Sequence, residues 1–207
     1  MNRLLRTSPI LALVAVAAMA PNVQADILLS PGATWEFTTT DPTGDATWNT
    51  TTGSWATGPA PFGNVFSGDF GYEFGTLWEA DGDRDDDLWV RTSLDLSSVD
   101  LTSLSFDLGV DNGYKLYANG TLIASDNAEG YTSRWEYSGA IPPGSLLPGI
   151  NVFAVALEDH GGLTAFDMQI RGEHIPAVPE ASNVLAGSAL VGLACSFAIR
   201  RRRAAAH

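Results

Sequence analysis

The stretch Leu88-Trp89-Val90-Arg91-Thr92-Ser93-Leu94-Asp95-Leu96 decides the fold class. Its even positions are mostly apolar, whereas its odd positions carry Trp, Arg, Ser and Asp. A period of two is that of a β-strand, whose successive side chains point to opposite faces, so one face of this strand meets a core and the other does not. The alternation returns in Leu104, Phe106, Leu108 and Val110 against Ser103, Ser105 and Asp107, and again in Thr164, Phe166, Met168 and Ile170. Ile150-Asn151-Val152-Phe153-Ala154-Val155-Ala156-Leu157 is apolar on both parities, the pattern of an interior strand covered on both sides. Shorter strands are expected at 33–38, 76–80, 114–118 and 134–139.

Between these runs stand Asp41-Pro42-Thr43-Gly44, Asp111-Asn112-Gly113, Asn119-Gly120, Pro142-Pro143-Gly144, Pro148-Gly149 and His160-Gly161-Gly162, all of them turn formers. Roughly eight to ten short strands separated by such turns define an all-β chain, most simply a jelly-roll β-sandwich. Only 143–147 has room for a helical turn. No repeat at a fixed period is visible, which argues against a propeller or solenoid.

The 207 residues carry a net charge of −13, unevenly spread. Residues 26–173 hold 23 acids against Arg84, Arg91, Lys115, Arg134 and Arg171, a balance of −18, and the remaining six basic residues sit at the two ends. An acidic body repels phosphate backbones and disfavours nucleic acid, while Ca²⁺ and other hard cations remain compatible with it. Cys195 is the only cysteine, so residues 26–175 contain no disulfide and depend on their core.

The ends read as addresses. Arg3 and Arg6, the apolar run 10–20 and the small residues Val23 and Ala25 describe a secretory signal peptide, 1–25, cut before Asp26. Residues 176–207 contain Val178-Pro179-Glu180, an apolar stretch at 184–199 suited to a single transmembrane helix, and Arg200, Arg201, Arg202 and Arg203. The arginines hold the tail in the cytoplasm and leave the body on the far side of the membrane, in agreement with the leader. Gly187, Ser188, Gly192 and Ala194 would let another helix approach closely. This order of motif, helix and terminal Arg cluster resembles a PEP-CTERM sorting signal, with Ala181 where that signal usually has Pro. The resemblance implies an exosortase-type processing enzyme of Gram-negative bacteria that make exopolysaccharide. It also implies transient anchorage in the inner membrane, then the outer surface or extracellular matrix.

Within 26–175, four strings occur in order: Ser54-Trp55-Ala56-Thr57-Gly58-Pro59-Ala60-Pro61-Phe62-Gly63, Leu88-Trp89-Val90-Arg91-Thr92, Asp111-Asn112-Gly113-Tyr114-Lys115-Leu116-Tyr117-Ala118-Asn119-Gly120 and Pro148-Gly149-Ile150-Asn151-Val152-Phe153-Ala154-Val155. Together they resemble the galactose-binding-domain-like jelly roll. That resemblance implies the fold; a ligand does not follow from it, since function sits in sites rather than in folds.

Two site readings come from the residues themselves. Asp81, Asp83, Asp85 and Asp87 alternate on an acidic loop containing Gly82, where carboxylates could converge on Ca²⁺. An EF-hand is excluded, because its Gly and Glu positions are occupied by Asp86 and Thr92. The alternative is a solvated acidic turn. Trp89 and Arg91 lie on the parity opposite Leu88 and Val90, so they face outward or toward a cleft, where an indole could stack on a sugar of an exopolysaccharide. Trp35, Trp48, Trp55, Trp78 and Trp135 read as core or sandwich-edge residues. His160 and His174 have no metal-ligand spacing, and no Gly-x-Ser-x-Gly elbow is present. Asn49-Thr50-Thr51 and Asn119-Gly120-Thr121 match the glycosylation sequon and read as incidental. The expectation is an exported, non-catalytic protein, then a carbohydrate-binding module, and last a hydrolase.

Overall fold

The computed structural model describes residues 25–64, 74–78, 86–127 and 134–176. Residues 1–24 of the expected signal peptide, the motif Val178, Pro179 and Glu180, the apolar stretch 184–199 and the arginines 200–203 lie outside these residues, as do Asp81, Asp83 and Asp85. No helix among the described residues is long and apolar enough to cross a membrane.

The alternating stretch forms β6 (Leu88–Asp95), and it pairs along its whole length with β11 (Ile150–Leu157), from Leu88↔Leu157 to Asp95↔Ile150. On their other edges stand β2 (Thr34–Thr38) beside β6 and β8 (Tyr114–Ala118) beside β11. With β3 (Ala56–Pro59) and β9 (Thr121–Asp126) they make a sheet in the order β3-β2-β6-β11-β8-β9. The second sheet runs β10-β7-β12-β4-β5, built from β10 (Tyr137–Ala140), β7 (Ser105–Asp111), β12 (Ala165–Gly172), β4 (Phe62–Gly63) and β5 (Thr76–Leu77). β1 (Asp26–Leu29) shares with β4 the edge of β12 that β7 leaves open. The chain is thus a β-sandwich, with one 3-10 turn among the described residues, at Pro143–Ser145, where the two prolines allowed one.

The core lies between the sheets. Trp35, Leu88, Val90, Leu116, Phe153 and Val155 of one sheet meet Phe62, Phe106, Leu108, Val110, Phe166, Met168 and Ile170 of the other. Trp35 stacks edge-on against Phe166 at 5.2 Å, and Phe37 against Phe62 at 5.4 Å, the T-shaped geometry favoured by ring quadrupoles. Leu88, Val90, Phe106, Leu108, Val110, Phe166, Met168 and Ile170 sit on the parity that their alternation assigned to the core.

β1, β3, β4 and β9 were not among the expected strands. In Thr121-Leu122-Ile123-Ala124-Ser125-Asp126 three apolar residues run consecutively, so no alternation marks it, and it is an edge strand with little to bury. The tight turn before it was readable. Asn119 (φ 48°) and Gly120 (φ 80°) both take positive φ, as a two-residue type I′ hairpin demands, and Asn-Gly is the pair that tolerates it best.

Candidate functional site

Two turns and the chain entering β6 meet at the end of the sandwich where β6 and β8 begin and β9 and β11 finish. The β7–β8 turn grips the β11–β12 turn: Asn112 N donates to Glu158 O at 3.1 Å, and Glu158 N to Gly113 O at 2.9 Å. His160 N donates to the Asn112 Oδ1 at 2.9 Å. Within the second turn, Asp159 Oδ1 accepts from Gly161 N at 2.7 Å, and Gly161 and Gly162 take positive φ that side-chain-bearing residues rarely adopt. Asp87 ties in the chain entering β6, its Oδ1 accepting from Asp159 N at 3.0 Å.

A cavity of about 450 Å³ opens beside these turns, its described lining being Tyr114, Lys115, Ser125, Asp126, Asn127 and Glu158. Strand register sets Tyr114 opposite Asp126 and Lys115 opposite Ser125, two successive pairs on alternate faces at the end of β8 and β9. Gly113 keeps the space clear: a Cβ there would lie 2.8 Å from Glu158 Oε2 and 3.1 Å from Asp126 O. Lys115, the chain's single lysine, bonds Glu158 Oε1 at 2.7 Å. That hydrogen bond is the main reason its ammonium is held above the usual lysine range. The Tyr114 hydroxyl is pushed up to about 12, first by burial and then by the negative field of Tyr137 and Asp126. It therefore stays a neutral phenol at physiological pH. Tyr137, 4.8 Å from Tyr114 ring to ring, is raised by burial and by Glu136, Asp126 and Asp111. The cavity is polar, and its surroundings carry excess negative charge.

Trp89 and Arg91 do lie on the face opposite Leu88 and Val90, but neither is an open platform. Trp89 is 8% exposed and Arg91 2%, because residues 39–55 cross this face as a strap. Trp48, from the strap, packs on Trp89 and Ala154 and meets Tyr117 edge-on at 5.3 Å. Arg91 holds the strap down. Its Nε donates to Glu36 Oε2 at 2.9 Å, Nη1 to Trp48 O at 2.9 Å and Nη2 to Ser54 Oγ at 2.8 Å, and its guanidinium lies 3.8 Å over the Trp55 ring. Both side chains lie on the face of β6 turned away from the core, and the strap covers them there.

Of the four proposed calcium ligands only Asp87 is described, and it is engaged with the Asp159 amide. Among the described residues no group of three or more His, Cys, Asp or Glu side chains is arranged to hold a metal ion. His160 belongs to a turn, its Nε2 3.7 Å from Glu158 Oε2, and His174 Nδ1 lies 3.3 Å from Ser98 Oγ. Sequence reading passed over Lys115, Asp126 and Glu158. The available signal was a lone lysine immediately after an Asp-Asn-Gly turn in a strongly acidic body.

No protein-family model matches the chain, and no curated protein matches it. Among solved structures, the chain is similar to a beta-glucuronidase of an uncultured Clostridium sp., with 11% identity, a TM-score of 0.47, and coverage of 77% of this chain and 31% of that one. It is also similar to a Ruminococcus gnavus beta-glucuronidase in complex with D-glucaro 1,5-lactone, with 13% identity, a TM-score of 0.49, and coverage of 76% and 31%. The chain therefore spans less than a third of either enzyme's length.

Proposed function

We propose that the chain is an exported, non-catalytic β-sandwich protein of jelly-roll type. Its first 25 residues deliver it across the inner membrane, and residues 176–207 sort it, through an exosortase-type enzyme, to the outer surface or extracellular matrix. The observation that carries this reading is the order of the sequence: a leader-like segment at 1–25, an all-β body, then Val178-Pro179-Glu180, the apolar stretch 184–199 and Arg200, Arg201, Arg202 and Arg203. Asp26, the residue after the expected cut, already pairs with Gly172 in the sandwich. Several buried charged groups are committed to structure, as in Arg91 with Glu36 and Asp167 with Arg134. The test is the intact mass of protein recovered from the cell surface or medium. A product beginning at Asp26 and lacking His207 is expected; one that still ends in His207 sinks the sorting reading.

A second reading, saccharide binding, is favoured by the cavity between Lys115, Asp126 and Glu158. Its volume falls within the range of small-molecule sites, and its hydroxyl, amide and carboxylate lining suits a polyhydroxylated ligand better than an apolar one.

A further inference from the structure

We infer that the pole of the sandwich where β1 begins and β12 ends docks on a zwitterionic lipid surface while the tail is anchored; the inference rests on the sorting reading above. The strands fix which residues share that pole. Asp26 pairs with Gly172 where β12 ends, and Asp95 pairs with Ile150 where β6 ends and β11 begins. The loop after β6 ties the two sheets together there: Leu96 N donates to Gly149 O, Asp100 N to Glu173 O and Ile175 N to Ser98 O, each at 2.8 Å. Four large aliphatic side chains stand in solvent at this pole, Ile27, Leu147, Ile150 and Ile175, between 50% and 63% exposed. Leu163, in the β11–β12 turn, stands at the opposite pole, roughly 25 Å away along the strands.

The length of chain beyond this pole names what covers it. Eight residues, 176–183, separate Ile175 from the apolar stretch 184–199. Fully extended they reach less than about 30 Å, so a membrane-inserted stretch keeps this pole close to the lipid. On so short a tether weak contacts suffice, because the tethered face meets the bilayer at an effective concentration on the order of millimolar. The four aliphatic side chains then gain by leaving water. Charge selects the lipid. Asp26, Asp95, Asp100 and Glu173 stand at the same pole, against His174 and Arg171, which already faces Asp107 at 3.5 Å. An anionic headgroup would repel this surface, whereas a zwitterionic one presents a cation to it.

The experiment reconstitutes the unaltered chain, purified from the membranes of an exporting host, into phosphatidylcholine liposomes carrying a photoactivatable diazirine lipid, with adducts mapped by mass spectrometry. The chain should float with the liposomes, and adducts on Ile27, Leu147, Ile150 and Ile175 should exceed those on Leu77 and Leu163 severalfold. Replacing part of the lipid by phosphatidylglycerol should lower that excess. Leu147→Asp together with Ile150→Asp should lower the adducts on Ile27 and Ile175 severalfold and leave flotation unchanged. A floating chain with adducts spread evenly over both poles, or with none on the body, overturns the inference and leaves the anchor standing. Adducts on Ile27 and Ile175 that survive the double substitution also overturn it, because the tether alone then holds the pole at the lipid. Contacts between two copies at this pole in place of lipid adducts overturn it as well. A chain that stays out of the liposomes overturns both readings. The comparison between poles uses the unaltered chain, so it decides the matter even if the variant fails to fold.

Discussion

Asn151 is fully buried, yet its amide uses both donors and both lone pairs. Nδ2 donates to Leu147 O at 2.7 Å and Gly149 O at 2.8 Å, while Oδ1 accepts from Leu147 N and from Asn119 Nδ2, both at 2.8 Å. Asn119 in turn donates to Ser145 O and accepts from Val152 N, both at 2.9 Å. The two amides lock the β8–β9 hairpin to the loop entering β11, joining the Asn119-Gly120 and Pro148-Gly149-Ile150-Asn151 strings. The strings were legible; their bond to each other was not, because it joins residues 32 apart that only the folded sheet brings together. It also removes Asn119 from consideration as a glycosylation acceptor. Asn151→Ala orphans several buried groups at once and should cost roughly 3 kcal/mol or more, read as a fall of about 10 °C in Tm. Asn119→Ala should cost less. Because the two share a hydrogen bond, the double variant should lose less than the sum of the single losses, by about 1 kcal/mol. Strict additivity would show that the amides act independently.

At the scale of elements, β11 and the strap 39–55 explain each other. β11 read as covered on both sides, and it is: Phe153, Val155 and Leu157 face the core, while Ala154 lies under Trp48 and beside Trp89. Periodicity reports that a face is apolar without saying what covers it, and a strap stabilised by local Asp turns carries no periodicity of its own. Asp41 Oδ1 accepts from Thr43 N, and Asp45 Oδ1 from Thr47 N and Oγ1, each at 2.8 Å. Asp-x-Ser/Thr was therefore the readable feature of the segment, but it marks turns anywhere. What fixes the strap to the sheet is Arg91, whose planar fork makes three hydrogen bonds in different directions. Lysine has neither the fork nor the flat surface for Trp55. Arg91→Lys should destabilise the chain by about 2–4 kcal/mol and shift tryptophan emission to longer wavelength as Trp48 and Trp55 become wetter. An unchanged Tm together with unchanged emission would mean that the strap is held by its indoles alone.

For the whole molecule the governing quantity is the −18 balance of residues 26–173, and its consequence is the pH profile of stability. Two opposed groups of carboxylates shape that profile. Asp41 and Asp45 are held below the usual range first by the backbone amides of Thr43 and Thr47, and Asp95 and Asp100 first by the hydroxyls of Ser97 and Thr102. For a depressed group the stabilisation is complete above the unfolded value of 3.8 and is lost as pH falls through the folded one. Asp167 is the reverse: burial raises it, only partly offset by Arg134 at 2.9 Å and the amides of Gly32 and Met168. Its contribution is fully present at low pH and is lost as pH rises through the raised value. Self-repulsion among the acids acts in the same sense as Asp167, because protonation relieves it. Stability should therefore rise from pH 7 toward about pH 4–5 and collapse below 3.8, measured as urea midpoints across that range. Salt separates the two causes of the rise. Screening in about 0.5 M NaCl should remove the part due to surface repulsion and leave the part due to Asp167, which is buried. Asp167→Asn should remove that remaining part, since the amide oxygen can still accept from Gly32 and Met168 and no buried charge is left to titrate. A steady decline from pH 7 downward would show that the exposed Asp turns outweigh both.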